Sequence, residues 1–480
     1  MISLAKHAPR PDLPYAALEI DLDLIRRYDR SGPRYTSYPT ADRFVDAFDA
    51  AAYAAWAKAR HVGGMQRPLS LYVHIPFCNT LCFYCACNKI ITKDRSKAEK
   101  YLLYLETEIA MQAALIGGDF DNRRVEQLHF GGGTPTFLSD AQIKGLMRVL
   151  RQHFKLASAE EGGEFSIEID PRKVSDATVA ALREMGFNRI SIGVQDFDAE
   201  VQQAVHRIQS EEETLRVMAA ARREGFKAIS MDLIYGLPKQ SVASFKRTLD
   251  KVIKASPDRI SLFNYAHLPQ LFKPQRRINA ADLPSAETRL DIMQMAIEQL
   301  TAAGYAYIGM DHFAKPGDEL AVAQRQGRLH RNFQGYSTHA ECDLLALGVS
   351  AISGVGPTYS QNYRTLDEYY DSLDRGVLPV MRGIELTADD LLRRAIIQAL
   401  MCHFELSVES IESAYLIDFK SYFADELAEL KELEEAGLIA LEPQWLTVTP
   451  KGRLLIRRIC MVFDRYLRVD SKRERYSKII

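Results

Sequence analysis

One stretch constrains this chain more than any other: residues 71–89, LYVHIPFCNTLCFYCACNK, which hold four of the seven cysteines, Cys78, Cys82, Cys85 and Cys87. A short apolar, β-branched run leads in and Pro76 stops it. That pattern predicts a buried strand delivering a cysteine loop at its carboxyl end. The C-x3-C-x2-C spacing sets three thiolates in one loop, close enough to bind one soft-metal centre. The N-terminus, MISLAKHAPRPDLPY, lacks the apolar core of a signal peptide. No uninterrupted apolar run approaches the roughly 20 residues of a membrane span. A cytoplasmic location with reduced thiols is therefore expected, where clustered cysteines read as a metal or redox site before a disulfide framework.

A chain of 480 residues should form more than one domain. Its net charge of −2 argues against a nucleic-acid or polybasic membrane role. From Leu69 a regular alternation begins. Strands are predicted at 69–76, 125–135, 165–171, 189–196, 228–238 and 259–269, with helices at 97–115, 140–153, 176–185, 211–224 and 242–253. Strands separated by helices predict parallel βα units. Six units predict an incomplete (β/α)6 barrel, and 305–314 an added strand or strap. Residues 1–64 read as a helical extension interrupted by the irregular segment SGPRYTSYPT (31–40), either a loop over a ligand or a linker whose tyrosines pack on the main domain. Residues 365–480 read as mostly helical with a short hairpin, a winged-helix-like module. Its helices from Val408 to Ala436 are acidic, which favours a lid or packing role over DNA binding. The expected division is 1–64, 65–364 and 365–480.

The predicted strands end alike, in a breaker or a functional group: Pro76 and the cysteines, Gly131–Thr134, Glu168 and Asp170, Gln195 and Asp196, Asp232, and Asn264–His267. In parallel α/β folds sites assemble at the carboxyl edge of the sheet, so these groups should converge on one mouth. Three thiolates without a certain fourth leave a metal an open, catalytic position. A closed zinc site or a closed electron-transfer cluster on all four cysteines remains the alternative. Gly131–Gly133 has no following P-loop lysine. It lets backbone approach a ligand closely, or is a plain tight turn. Glu168 and Asp232 are carboxylate acceptors for an amine or ribose, or members of buried ion pairs. Tyr72 and His74 alternate on the first strand and should share its inner face. Cys342, Cys402 and Cys460 read as buried small hydrophobes.

The triad spacing is the signature of radical S-adenosylmethionine (SAM) enzymes. The motifs SGPRYTSYPT, LYVHIPFC with the Cys87-Asn88-Lys89 extension, LHFGGGTPT, SIEIDPR, VQDF, DLIYGLPKQ, FNYAHLP, GMDHFA and HRNFQGY together resemble one family, the oxygen-independent coproporphyrinogen III oxidases of bacteria. The resemblance runs from about Tyr28 to the tail. It implies oxidative decarboxylation of two propionates of coproporphyrinogen III to vinyls, giving protoporphyrinogen IX for haem. It further implies a [4Fe–4S] cluster on Cys78, Cys82 and Cys85, two SAM molecules, a low-potential electron donor, an unidentified electron acceptor, and a monomer. Carried over by position, Tyr72, Gly132, Glu168 and Ile352 would line the first SAM. Tyr84, Gly133, Thr134, Gln195, Arg207, Asp232 and Ala266 would line the second. Cys87 matches a cysteine needed for activity that is not a ligand. The order Phe83-Tyr84 reverses the family's usual Tyr-Phe, which a backbone contact would survive. His74 would lie beside the cluster. Substrate carboxylates suit a guanidinium fork, and Arg34 is the candidate. The alternative function is a haem-binding, radical-SAM-like chaperone. Such relatives typically lack the fourth cysteine and the RYTSYPT segment, which this chain has. A zinc-dependent regulatory protein using the winged tail is a third reading.

Overall fold

The computed structural model describes residues 18–60, 67–117, 123–469 and 478. The reading of residues 1–15 lies outside the described residues. Two compact units emerge: one of Met1–Arg43, Ala286–Ala340 and Leu386–Ile480, the other of Phe44–Ser285 and Glu341–Glu385. They cut the chain differently from a division at 64/65 and 364/365. Residues 286–340 join the two chain ends, and 341–385 join the strand-rich segment.

After a helix at Ala50–Ala59, the strand-rich unit runs through β1 (Leu69–Ile75), α1 (Ser96–Ile116), β2 (Arg124–Gly132), α2 (Asp140–His153), β3 (Glu164–Ile169) and α3 (Asp176–Glu184). It continues with β4 (Arg189–Gln195), α4 (Glu211–Arg223), β5 (Ala228–Tyr235), α5 (Val242–Ala255) and β6 (Arg259–Asn264). These six strands pair in parallel in sequence order, as the alternation predicts. The helices start where a serine caps them. Ser139, Ser175, Ser210 and Ser241 each accept a hydrogen bond from the third backbone N–H of the following helix. Period-two alternation splits each strand. In β1, Leu69, Leu71, Val73 and Ile75 are fully buried on one face, while Ser70, Tyr72 and His74 lie on the other. That second face is polar in neighbouring strands too, with Gln127 and His129, Ser166 and Glu168, Ser191, and Ser230 and Asp232. A polar inner face with an apolar outer face is what a site-bearing sheet needs.

The parallel run also continues at the other edge. β7 (Asp343–Leu347) pairs in parallel with β1, and β8 (Ile352–Val355), β9 (Thr358–Asn362) and β10 (Val380–Glu385) follow antiparallel. Sequence reading missed these four. β7 and β9 are buried at every position, so they show no alternation. β10 adds a strand within the segment from residue 365, which reads in sequence as mostly helical with a short hairpin.

Under β7 and β8, α1 buries Glu108 completely. Its carboxylate accepts from Gly348 N–H at 2.7 Å, Asn362 Nδ2 at 2.7 Å and Tyr369 O–H at 2.6 Å. Burial nevertheless pushes this carboxyl from 4.5 up to about 7. The folded state then holds the proton more tightly than the unfolded chain. The stability it contributes is complete below the ordinary pKa near 4.5 and is lost as pH rises through about 7. We expect unfolding free energy to fall by a few kcal/mol across that window (each pKa unit being about 1.4 kcal/mol), and Glu108→Gln to remove that slope. Urea titrations at pH 4.5 and 7.5 check it; an unchanged slope in the variant would exclude Glu108 as the source.

The other unit is richer in helices. Its hairpin of Ala306–Gly309 and His312–Ala314 accounts for the predicted strand or strap at 305–314. Helices Ala388–His403, Val408–Tyr415 and Ala424–Glu435 accompany a three-stranded sheet in which Trp445–Val448 lies between Glu405–Ser407 and Ile439–Leu441. This is the winged arrangement expected of the tail. The SGPRYTSYPT loop is fixed here: Tyr35 donates to Asp464 Oδ2 at 3.0 Å, Arg457 Nε donates to Pro33 O at 2.8 Å, and Tyr38 O–H accepts from Arg465 N. Tyr35 and Tyr38 are buried. Arg34 pairs with Asp311. No described helix is long and apolar enough to cross a membrane.

Candidate functional site

β1 stops at Pro76, and the chain then closes a loop on itself. Phe77 and Cys78 pair in parallel with Ile90 and Ile91, Ile90 N–H reaching Pro76 O at 2.7 Å. Cys82, Cys85 and Cys87 fall inside. The segment after β4 holds the loop from outside: Phe83 N–H donates to Val205 O at 2.9 Å, His206 Nδ1 donates to Leu81 O at 2.8 Å, and the Phe83 and His206 rings stack at 4.9 Å. Buried Gln275 ties it to the end of β6, its Nε2 donating to Tyr84 O at 3.1 Å and Ala266 O at 3.2 Å. Sequence reading missed Gln275. A lone glutamine in a 3-10 turn carries no signal until tertiary structure brings two carbonyls to it.

Each of the three triad thiols has a polar neighbour. Cys78 Sγ is 3.4 Å from Thr134 Oγ1, and Arg207 Nη1 donates to Cys82 Sγ at 3.7 Å. Cys85 is pulled down to about 6, chiefly by a hydrogen bond from the Cys87 thiol and further by Lys89, whose Nζ donates to the carbonyls of Cys85 and Cys87. Cys78 goes the other way, to about 11, because it is buried. Cys87 is the exposed member of the four. Arg207 also reaches Gly193 O and lies 3.9 Å from Asp170, which is bound by Arg172 at 2.6 Å. Of the other cysteines, Cys402 and Cys460 are buried as expected, whereas Cys342 is partly exposed.

The polar inner face adjoins the loop. His74 Nε2 lies 3.1 Å from Asn88 O, which can only accept, so Nε2 carries the proton and Nδ1 accepts from Tyr72 O–H at 3.0 Å. Burial holds His74 below its ordinary value, hence neutral. Tyr72 stacks on His129 at 5.8 Å. His129 Nε2 donates to Glu168 Oε1 at 3.3 Å, and Gly132 N–H to Glu168 Oε2 at 3.3 Å. Burial works against the Glu168 carboxylate, yet the His129 hydrogen bond and charge and the Gly132 N–H hold it below its usual range. Strand-end reasoning found Glu168 but not His129, its orienting partner. The three glycines exist because of these neighbours. A Cβ on Gly131 would stand 2.9 Å from Glu168 Oε1, on Gly132 2.5 Å from His74 Cε1, and on Gly133 2.7 Å from Pro76 O. Gly132 also has φ +114°.

The remaining predicted residues fall at further strand ends. Asp232 accepts from Ser191 Oγ at 2.9 Å, and burial pushes its carboxyl up to about 6. Gln195 closes β4 at φ 69°, with a sealed Oε1 that has no partner among the described residues; Asn264 Oδ1, closing β6, is likewise sealed. Ile352 opens β8. Arg34 belongs to the other unit.

Three soft thiol ligands on one closed loop suit an iron–sulfur cluster with a free iron position. The close-packed glycine turn, the ionised Glu168 and the orphaned acceptors Gln195 and Asn264 suit a ligand carrying ammonium and hydroxyl donors. Cys78, Cys82 and Cys85 would hold the cluster.

Two family models match. One, the radical SAM superfamily, covers residues 72–252; the other, the HemN C-terminal domain, covers 386–455. The fold is that of radical SAM enzymes, the class whose [4Fe–4S] cluster and SAM this donor set fits. Across nearly its whole length the chain is similar to oxygen-independent coproporphyrinogen III oxidases. It is 55% identical to that of Pseudomonas aeruginosa (96% of this chain, 98% of the relative) and 50% identical to that of Escherichia coli (96% and 99%). A solved structure described as coproporphyrinogen III oxidase (HemN) from Escherichia coli, a radical SAM enzyme, superposes with a TM-score of 0.89 at 50% identity, covering 94% of this chain and 100% of that one. The chain belongs to the oxygen-independent coproporphyrinogen III oxidase family.

Proposed function

We propose that the chain oxidatively decarboxylates two propionates of coproporphyrinogen III to vinyl groups without O2, giving protoporphyrinogen IX in haem biosynthesis. The observation that carries this reading is the closed loop presenting Cys78 to Thr134 and Cys82 to Arg207, next to the Gly131–Gly133 turn and Glu168. When bound, the cluster and SAM supply the 5′-deoxyadenosyl radical that takes a hydrogen from a propionate. The propionate also loses carbon dioxide and one electron, which passes to an acceptor.

The chain's residues bind and orient. Arg207 sets a positive charge beside Cys82. Glu168, kept ionised by His129 and Gly132, accepts from an amine or hydroxyl. His74 and Tyr72 stay neutral and hydrogen-bonded to each other, so they add shape without charge. The reading assigns Tyr72, Gly132, Glu168 and Ile352 to one SAM, and Tyr84, Gly133, Thr134, Gln195, Arg207, Asp232 and Ala266 to a second. Cys87, and Arg34 after exchanging Asp311 for a propionate, complete the proposed catalytic set. The division into extension, barrel and lid, the low-potential donor, the separate electron acceptor, the cytoplasmic location, the monomer and the absence of nucleic-acid and membrane partners belong to the same reading.

The test is anaerobic reconstitution with SAM, a low-potential reductant and coproporphyrinogen III, followed by chromatography. Substrate-dependent 5′-deoxyadenosine and divinyl product are expected. Deoxyadenosine without vinyl product would overturn the substrate assignment and leave the class.

A further inference from the structure

The helix-rich unit contains the HRNFQGY segment, a hairpin of His330–Asn332 and Gly335–Ser337. Arg331 sits in it at 3% exposure. Its backbone is fixed on both sides by Gln398, which accepts from Arg331 N–H at 3.2 Å and donates to Arg331 O at 2.8 Å. Its guanidinium lies over the Tyr336 ring, 4.7 Å from the centroid, and Tyr336 in turn donates to Met401 O at 3.0 Å. Backbone and ring are thus held in place, yet no carboxylate pairs with the cation among the described residues. Arg331 Nε and Nη1 are sealed from solvent and meet no acceptor among the described residues.

Three other buried arginines have a carboxylate partner and a fourth a backbone carbonyl. Arg60 pairs with Asp343 at 3.1 Å, Arg393 with Glu426 at 2.9 Å and Arg458 with Glu429 at 3.0 Å, while Arg457 donates to Pro33 O at 2.8 Å. A guanidinium stays charged at any working pH, and a ring face offsets only part of the desolvation of an ion. In the turn of the same hairpin, Gln334 Nε2 is also sealed and unpartnered. All three orphaned atoms are donors. What satisfies them is an acceptor without protons, and a carboxylate matches the planar fork of an arginine.

We propose that Arg331 is a carboxylate receptor. The inference rests on the functional reading above, which supplies two carboxylate sources, the propionates of the porphyrinogen and the methionyl group of SAM. The experiment uses the anaerobically reconstituted full chain and measures coproporphyrin III affinity by fluorescence quenching, SAM affinity by equilibrium dialysis, and Tm. Arg331→Gln is expected to lose roughly 10–100-fold in affinity for one of the two ligands, with Arg331→Lys recovering part of it. A loss on coproporphyrin III assigns a propionate, and a loss on SAM assigns the methionyl carboxylate; either supports the proposal. Arg331→Met, which removes a buried charge with no carboxylate partner among the described residues, is expected to fold with a ligand-free Tm no lower than the parent's. Unchanged affinity for both ligands overturns the proposal, as does a ligand-free Arg331→Met Tm several degrees below the parent's. If the unsubstituted protein cleaved SAM but gave no vinyl product from coproporphyrinogen III, the functional reading would fall while the SAM arm still tested Arg331.

Discussion

Replacing Cys82 by Ser is expected to abolish the brown visible absorbance of the reconstituted protein and to drop turnover to background. The same holds for Cys78 and Cys85. A serine hydroxyl is a hard, weakly acidic ligand where a soft thiolate is needed, so one substitution removes the group that supplies the radical. The loss is therefore not a fraction of the catalytic effect but nearly all of it, on the order of six decades or more. Cys87→Ser is the informative contrast. Cys87 is exposed and donates to Cys85, so iron content and absorbance should survive while turnover falls. Iron analysis and visible spectra separate the cases. Full iron in Cys82→Ser, or iron lost in Cys87→Ser, would overturn the division of the four cysteines.

Gly132→Ala has the second largest expected effect. The added Cβ would lie 2.5 Å from His74 Cε1 and 2.6 Å from Nδ1. His74 cannot retreat, because Tyr72 and Asn88 O hold its two nitrogens. Two costs combine. A non-glycine residue at φ +114° carries strain of about 1–3 kcal/mol, and overpacking a filled site adds about 1–3 kcal/mol. A loss of about 2–5 kcal/mol in urea unfolding is expected, with SAM cleavage lost because the Gly132 N–H to Glu168 bond shifts. Gly145 is the control. It lies in α2, with nothing within 4 Å of an added Cβ, so Gly145→Ala should stabilise by roughly 0.5–1 kcal/mol. Equal behaviour of the two variants would contradict the packing account.

Much of this was legible in the residues. β1 to β6 announced themselves because one face of each is apolar and the other polar, with glycine, proline or acid at the exit. That is why the sequence alone places Glu168, Asp232 and the glycine turn at strand ends. β7 and β9 hid for the opposite reason: strands buried on both faces have no period to read. The site's supporting polar groups hid too. His129 and Gln275 act through one or two hydrogen bonds each, to Glu168 and to the carbonyls of Tyr84 and Ala266. Nothing local marks a residue whose partner arrives from another strand. Arg331 stood in a motif specific to its family, yet only burial without a counter-charge reveals it as unusual.

The central claim is that this cysteine loop drives decarboxylation, and carbon dioxide reports it directly. Coproporphyrinogen III carrying 13C in its propionate carboxyls would be incubated without O2 with the reconstituted protein, reductant and SAM. Release of labelled carbon dioxide together with divinyl porphyrin, absent without SAM and absent in Cys82→Ser, is the predicted result. Labelled porphyrin recovered intact and bound to the protein, with SAM present and the cluster assembled, would contradict it and point to a carrier instead.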